Sequence, residues 1–479
     1  MRWGESWTRT EQIKDQLMQY FKPAGDFFLG DCMPFAHNGV FHLFYLLDEG
    51  HHKGLGGLGG HQWAHATTTD LIHWTHHPLA LPISAEWEGS ICTGSSFYHA
   101  GVYHAFYATR MRDWTQHLGH AVSTDGIHFE KTTPNPFASP PPGYSAKDYR
   151  DPFVFQGDDG RFHMLLTAKI EDYPLADRGG CLLHLTSADL WQWEVVGPML
   201  IPGAERGGAG VPECPDCFEW NGWYYLLFGL RLQTHYRMAR HPLGPWVRPP
   251  VDVLDTRFCA VMKTAPFGAN RRIGVGWAGP RDGDKDGGRM LWGGNAVFRE
   301  LIQHPDGSLG TRFPPEMTPG QGNPLPLTFT ALTAGCSGDS ERIAFDAPET
   351  VAVAALDGLP GNCRVRCRVE PGVGCIRFGL GLRGQGAFAE KYDLTFDVPL
   401  RTVTLAQERI ESVSGLDAPF TLEVILNEDI IDVCIGEQRC IINRLPELQG
   451  DRLFFFCENG AVQFTEIEVN LLLSVLRDS

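Results

Sequence analysis

Gly39-Val-Phe-His-Leu-Phe-Tyr45, Gly101-Val-Tyr-His-Ala-Phe-Tyr107, Gly160-Arg-Phe-His-Met-Leu-Leu166 and Gly222-Trp-Tyr-Tyr-Leu-Leu-Phe228 are four copies of one strand pattern. Their glycines lie 62, 59 and 62 residues apart, and a degenerate fifth copy, Arg272-Ile-Gly-Val-Gly-Trp277, follows. Near-equal spacing over five units predicts a closed array of β-sheets, an N-terminal five-bladed β-propeller. Counting back from each glycine gives Asp31 and Thr93 eight residues earlier, and Asp151 and Glu213 nine earlier. Equivalent positions on repeated blades converge on a common axis, so three carboxylates are expected at one mouth of the channel. Acids gathered there perturb one another's ionisation, which packing alone has little reason to tolerate.

A second element repeats with the same period. Thr68-Thr-Asp70-Leu-Ile-His-Trp74, Ser123-Thr-Asp125-Gly-Ile-His-Phe129 and Ser187-Ala-Asp189-Leu-Trp-Gln-Trp193 each read as a turn whose side chains bond nearby backbone, followed by an aromatic packed between blades. The array ends with Arg299-Glu-Leu-Ile-Gln-His-Pro-Asp-Gly-Ser-Leu309, whose Asp-Gly pair suits a hairpin. The division expected is an N-terminal extension over 1–22, with a short amphipathic helix over 8–20 (Ile13, Leu17 and Tyr20 on one face), then a propeller over 23–311. A proline-rich linker over 312–326 and a second domain over 327–479 complete it. In that domain Tyr392-Asp-Leu-Thr-Phe-Asp397 and Thr421-Leu-Glu-Val-Ile-Leu426 alternate apolar with polar residues, as strands of a C-terminal antiparallel β-sandwich do. The fold class is therefore all-β.

Composition sets outer bounds. The 479 residues exceed one ordinary core, and 55 glycines with 33 prolines suit many tight turns. No run of 18 apolar residues is present. A net charge of -17 argues against nucleic acid or an acidic membrane surface as partner and is compatible with a small neutral oligosaccharide. The first residues, Met1-Arg-Trp-Gly-Glu-Ser-Trp7, hold no apolar signal region, and 13 scattered cysteines fit reduced thiols better than a disulfide framework. The expected location is cytoplasmic.

The three acids stand in Gly30-Asp31-Cys-Met-Pro34, Tyr149-Arg150-Asp151-Pro152 and Pro212-Glu213-Cys214-Pro215. In this order the motifs resemble those of glycoside hydrolase family 32, the β-fructofuranosidases, invertases, levanases and inulinases. The resemblance runs through Trp63-Ala-His-Ala66, Asp70-Leu-Ile-His-Trp74 and Thr93-Gly-Ser95 to the Arg299 segment, and covers about the first 310 residues. It implies a retaining hydrolase that releases β-fructofuranosyl units from sucrose or short fructo-oligosaccharides, without a cofactor or metal. Asp31 would be the nucleophile, Glu213 the acid/base, and Asp151 the residue that binds ring hydroxyls and stabilises the transition state, with Arg150 holding it. Trp63 and Trp87 are expected as walls of the sugar pocket, and Thr93 and Cys214 as further substrate-binding residues. The chain departs from the family at Gly30, where asparagine is usual before the nucleophile, and at Leu46, where glutamine is usual.

Two rival functions remain at this stage. A family 43-type glycosidase acting on arabinan or xylan shares the five blades and three acids but inverts. A sugar-binding propeller without turnover would explain the altered residues around Asp31. Three other signals have bland readings. Gly54-Leu-Gly56-Gly-Leu-Gly59 fits a dinucleotide pattern, but a strand follows it where a helix is required. Cys214-Pro-Asp-Cys217 lacks a second pair, and Asp282-Gly-Asp284-Lys-Asp286 lacks the closing glutamate of a calcium loop. Histidines crowd between His51 and His77, where packing and backbone bonding are expected to account for them.

Overall fold

The structure is a computed structural model that describes residues 18–205, 207–318 and 323–472. Most of the helix expected over 8–20 lies outside them; residues 18–20 form a bend and a turn. Two compact units emerge. The first runs up to Val253 and includes Cys259–Gly279 and Leu291–Ser308; the second comprises Leu254–Phe258, Pro280–Met290 and the chain from Leu309 onward.

The first unit is the five-bladed propeller. Blade one pairs β1 (Phe27–His37), β2 (Val40–Glu49), β3 (Gln62–Thr68) and β4 (Thr75–Leu81) in sequence order, all antiparallel. Blade two repeats this with β5 (Ser90–His99), β6 (Val102–Arg110), β7 (Gln116–Ser123) and β8 (Glu130–Lys131). Blade three holds β9 (Tyr144–Gln156), β10 (Phe162–Ile170), β11 (Gly180–Ser187) and β12 (Glu194–Leu200). Blade four has three strands, β13 (Glu213–Trp220), β14 (Trp223–Leu230) and β15 (Gln233–Ala239). Its fourth edge is reduced to single bridges, Met238 to Val247 and His235 to Val253. The intervening segment carries Pro242, Pro245, Pro249 and Pro250, which have no N–H to give a ladder. Blade five is built on β16 (Ala260–Phe267), β17 (Arg271–Ala278) and β18 (Asn295–Gln303).

Each conserved-looking pattern residue has a place. The pattern glycines Gly39, Gly101, Gly160 and Gly222 turn the first strand into the second with φ between 77° and 88°. The pattern histidines point at a partner on the next strand: His42 Nδ1 lies 3.1 Å from His65 Nε2, His104 from His120 at 3.0 Å, and His163 from His184 at 2.9 Å. The Ser/Thr-x-Asp turns close as their sequence predicts, with Asp125 Oδ1 accepting from Ile127 N and His128 N at 2.8 Å each. Trp74, at the end of one such turn, meets Phe41 of blade one and Phe298 of blade five edge-on, and Trp193 of blade three meets Phe106 of blade two. The ring is closed by the start of the described chain, where Tyr20 N donates to Ala296 O and Ala296 N to Phe21 O, both at 2.8 Å. Leu29 and Gly294 exchange a second such pair.

The second unit is a β-sandwich made from one continuous, folded sheet, in which the 20-residue strand Arg452–Leu471 pairs with Ile343–Asp357, Cys363–Pro371 and Arg377–Gln385. Alternation decides its faces. Cys363, Val365, Cys367 and Val369 are buried while Arg364, Arg366 and Arg368 are half-exposed, and Tyr392, Leu394 and Phe396 follow the same rule. The inward residues form one core. Within this unit the Asp282 segment is a hairpin bridged at Arg281 and Met290, and Asp286 accepts from the Tyr392 hydroxyl at 3.1 Å.

Candidate active site

In each blade the first strand carries a bulge at the same level, two residues standing opposite one: Gly30–Asp31, Cys92–Thr93, Asp151–Pro152, Cys214–Pro215 and Val261–Met262; the first strand of blade three has a further irregularity between Tyr144 and Tyr149. A bulge bends its strand and re-aims side chains out of the pleat. Asp31 and Thr93 are second bulge residues, Asp151 is a first, and Glu213 stands just before one. The four positions equated by counting are thus offset by up to two steps along the bulge. Asp151, Cys214 and Val261 take left-handed backbone (φ 58°, 53° and 42°).

All five strands meet at one pocket. Asp31, Thr93, Arg150, Asp151 and Glu213 line it, with Leu46, Cys92 and Arg110 from the first two blades, His61 beside them, and Val261, Trp277 and Trp292 on the fifth-blade side. Asp31 is gripped at both oxygens: Thr93 Oγ1 donates to Oδ2 at 2.6 Å and Trp277 Nε1 to Oδ1 at 2.9 Å. Asp151 Oδ2 accepts from Thr167 Oγ1 at 2.9 Å and from the Cys214 N–H at 3.1 Å. Arg150 crosses the floor, donating through NH2 to Glu213 Oε1 at 2.6 Å and through NH1 to Asp148 Oδ1 at 3.1 Å, with its Nε 3.7 Å from Asp151. Among the described residues no donor reaches Glu213 Oε2.

Burial pushes the Asp31 carboxyl above its ordinary value, and the neighbouring Asp151 adds to that, while the Thr93 and Trp277 donors hold it back. Glu213 is also raised. Its desolvation in the pocket, with Asp151 and Asp31 close by, outweighs the opposing Arg150, although 34% of the side chain still meets solvent. Burial pulls Arg150 down, and the Glu213 and Asp151 carboxylates more than reverse this, so its guanidinium is held charged.

Sequence comparison matches residues 30–301 to the N-terminal domain of the glycosyl hydrolases family 32, more than half of the chain and all three acids. The chain belongs to glycosyl hydrolase family 32. Among curated family members it is 27% identical over 301 residues to the sucrose-6-phosphate hydrolase of Escherichia coli, an alignment covering 57% of this chain and 59% of that one. It is 30% identical over 203 residues to the raffinose invertase of Escherichia coli, covering 40% and 39%. The alignments thus span little more than half of these relatives' length at most. The fold matches over far more. Fructan 1-exohydrolase IIa from Cichorium intybus, solved in complex with 1-kestose, superposes with a TM-score of 0.72 over 96% of this chain and 97% of its own, at 17% identity. The sucrose-6-phosphate hydrolase structure from Lactobacillus gasseri gives 0.70 over 96% and 94%, at 16% identity.

In this family 32 chain, six of the eight residues singled out from sequence meet around the pocket. Cys214 stands behind the pocket lining: it is buried, its N–H serves Asp151, and its Sγ lies 3.7 Å from Asp31 Oδ2. The two expected tryptophan walls are elsewhere. Trp63 is 0% exposed, packs with Phe44 and Tyr107, and donates its indole N–H to Cys92 O at 2.9 Å, so it supports the bulge of blade two from behind. Trp87 packs against the same core cluster. The rings that do line the pocket are Trp277 and Trp292. Trp277 ends the degenerate fifth repeat, so the period itself pointed to it, whereas Trp292 follows no period.

Trp292 also explains the glycine at position 30. A Cβ on Gly30 would stand 2.2 Å from the Trp292 ring, so the indole occupies the space that a side chain would need. The ring stacks on His61 at 4.6 Å, and its backbone carbonyl meets His51 Nδ1 at 3.1 Å.

Asp48, His52 and His61 bring potential ligand atoms within 4.8 Å of one another. Hydrogen bonds link them: both Asp48 oxygens accept the His52 N–H (2.9 and 2.8 Å), Oδ1 also meets His61 Nε2 at 3.0 Å, and Arg110 NH1 donates to His52 Nε2 at 2.6 Å. The Gly54–Gly57 turn is a single helical turn with left-handed residues inside it, and β3 follows. All 13 cysteines are free, and Cys217 of the C-x-x-C packs in a core cluster.

Proposed function

We propose that this protein is a retaining β-fructofuranosidase acting on sucrose or short fructo-oligosaccharides. The observation that carries this is the meeting of Asp31, Asp151 and Glu213 in one pocket, tied by Arg150, in a chain of family 32. Asp31, aimed by two donors that stabilise its ionised form, attacks the anomeric carbon of the fructosyl unit. Glu213 delivers a proton from Oε2, the oxygen left open by Arg150, to the departing oxygen. In the second half Glu213 takes a proton from water, which attacks the fructosyl-Asp31 ester and regenerates both acids. Asp151, anchored by Thr167 and Cys214, holds ring hydroxyls during both steps. The enclosed pocket, walled by Trp277 and Trp292, suits a single terminal sugar. The 13 free thiols, 12 of them buried, suit a reducing compartment.

The test is fructose release from sucrose, sucrose 6-phosphate and 1-kestose, with the product anomer followed by NMR from the first turnover. Release with retention is expected, reduced about 10²–10⁴-fold in Glu213→Gln and abolished in Asp31→Asn. An inverted product would move the protein to the arabinosidase-like mechanism; tight sugar binding without release would make it a binding propeller.

A further inference from the structure

The pocket wall where blades one and two meet holds a relay for which the hydrolysis has no use. Cys92, first residue of the second bulge, is 3% exposed and opens on the pocket. Arg110 NH2 donates to its Sγ at 3.7 Å, and Arg110 forms no ion pair with a carboxylate among the described residues. On the other side stands His61, fully buried, with Nε2 held by Asp48 Oδ1 at 3.0 Å. Its second nitrogen, Nδ1, is buried with no hydrogen-bond partner among the described residues; His61 and Cys92 line the same pocket, and the Cys92 thiol donates to Ser90 O at 3.7 Å. With Nε2 donating to Asp48, Nδ1 is the basic nitrogen of the ring and the acceptor available to the Cys92 proton. Carboxylate, imidazole and thiol in this order form an activated thiol, and a cation beside the sulfur stabilises the thiolate.

We propose that Cys92 is a reversible modification site, reached through the sugar pocket by small uncharged thiosulfonate- or disulfide-type electrophiles, and that its modification blocks the pocket. The thiol proton passes to His61 Nδ1. A sulfur lone pair of the thiolate then forms an S–S bond with the methylthio group of the reagent, and methanesulfinate leaves with the electrons of the broken bond. A second thiol reverses the step by exchange. The added group projects beside Thr93, the donor to Asp31. The environment of the buried thiols on the neighbouring first strands is opposite in character. Burial would push Cys92 up, but Arg110 and His61 hold it below its ordinary value, whereas burial pushes Cys32, Cys214 and Cys217 up. Cys375 is also lowered, by its Cys457 neighbour, but it belongs to the other unit and serves as an internal comparison.

The effect on activity rests on the sugar-pocket reading; the reactivity does not. The experiment treats the intact protein with methyl methanethiosulfonate at neutral pH, maps labelled peptides by mass spectrometry, and measures fructose release in parallel. Cys92 is expected to label at least about tenfold faster than Cys214. Labelling should remove most of the release, dithiothreitol should restore it, and added fructose should slow the reaction. His61→Gln should slow labelling at Cys92, and the reagent should not reduce whatever activity Cys92→Ala retains. Should that variant fail to fold, mapping and sugar protection on the intact protein decide the matter. Labelling of Cys214 first, an unlabelled Cys92, or full labelling of Cys92 with release undiminished would each overturn the proposal. If the protein releases no fructose from any sugar, peptide mapping alone still tests the activated thiol.

Discussion

The role proposed for Asp31 needs an ionised carboxylate, whereas burial and Asp151 both favour its protonated form. The donors Thr93 and Trp277 keep it usable, and each can be removed. Thr93→Val deletes a hydrogen bond to a charged group, a contribution of about 1.5–3 kcal/mol. The carboxyl should therefore rise further, and the acid limb of the kcat/KM profile should move up by about one to two pH units. The basic limb should track Glu213, whose raised value keeps the proton on to higher pH, and Glu213→Gln should abolish that limb. At this scale the sequence was legible wherever a residue carried its own motif. Asp151 between Arg150 and Pro152, and Glu213 before Cys214-Pro215, are recognisable without a structure. Trp63 and Trp87 were not, because an aromatic in a strand pattern announces burial and not which face it serves. The offsets within the bulges escaped counting too, since a bulge adds one residue without marking it in the sequence.

Among the elements, the blades owe their repeated interior to paired histidines. Burial holds His42, His104 and His184 at about 4 and His120 at about 3, below the ordinary 6.5, so each stays neutral in the fold. An unfolded chain binds protons to these rings first. Their contribution to stability is thus complete above pH 6.5 and is lost as the pH falls from 6.5 toward 4. Thermal melts across that window should show a falling Tm, and His120→Phe, which stacks on Phe106 without a proton to gain, should flatten the decline. Trp63→Ala belongs to this scale as well. It should cost about 3–5 kcal/mol as a cavity in a packed core, read as a lower denaturant midpoint. The repeat and its turns could be read from spacing alone, but the missing fourth strand of blade four could not, although four prolines after Arg240 were its visible cause.

For the molecule as a whole, closure of the propeller depends on a few residues at the start of the described chain. Met18, Tyr20 and Phe21 are buried, and Gln19 Oε1 accepts from Phe298 N at 2.9 Å. Removing residues through Phe21 should lower the melting temperature of the propeller and expose apolar surface to a hydrophobic dye, a change absent when Lys22, a partly exposed neighbour, is replaced by alanine. The change in texture near residue 312 places a boundary in the sequence, and the second unit takes the chain from Leu309 onward. The short excursions over 254–258 and 280–290 were not, because neither interrupts the strand pattern that surrounds it.

Position 30 and position 292 are far apart in the chain and share one volume. The asparagine usual in the family cannot be reinstated at Gly30 while the indole remains, and trimming the indole alone leaves a void next to the nucleophile. Single-site variation at either position therefore meets a fitness valley. Only a library that changes both together can ask whether an amide fits beside Asp31 once the indole is gone, and which sugar the pocket then accepts.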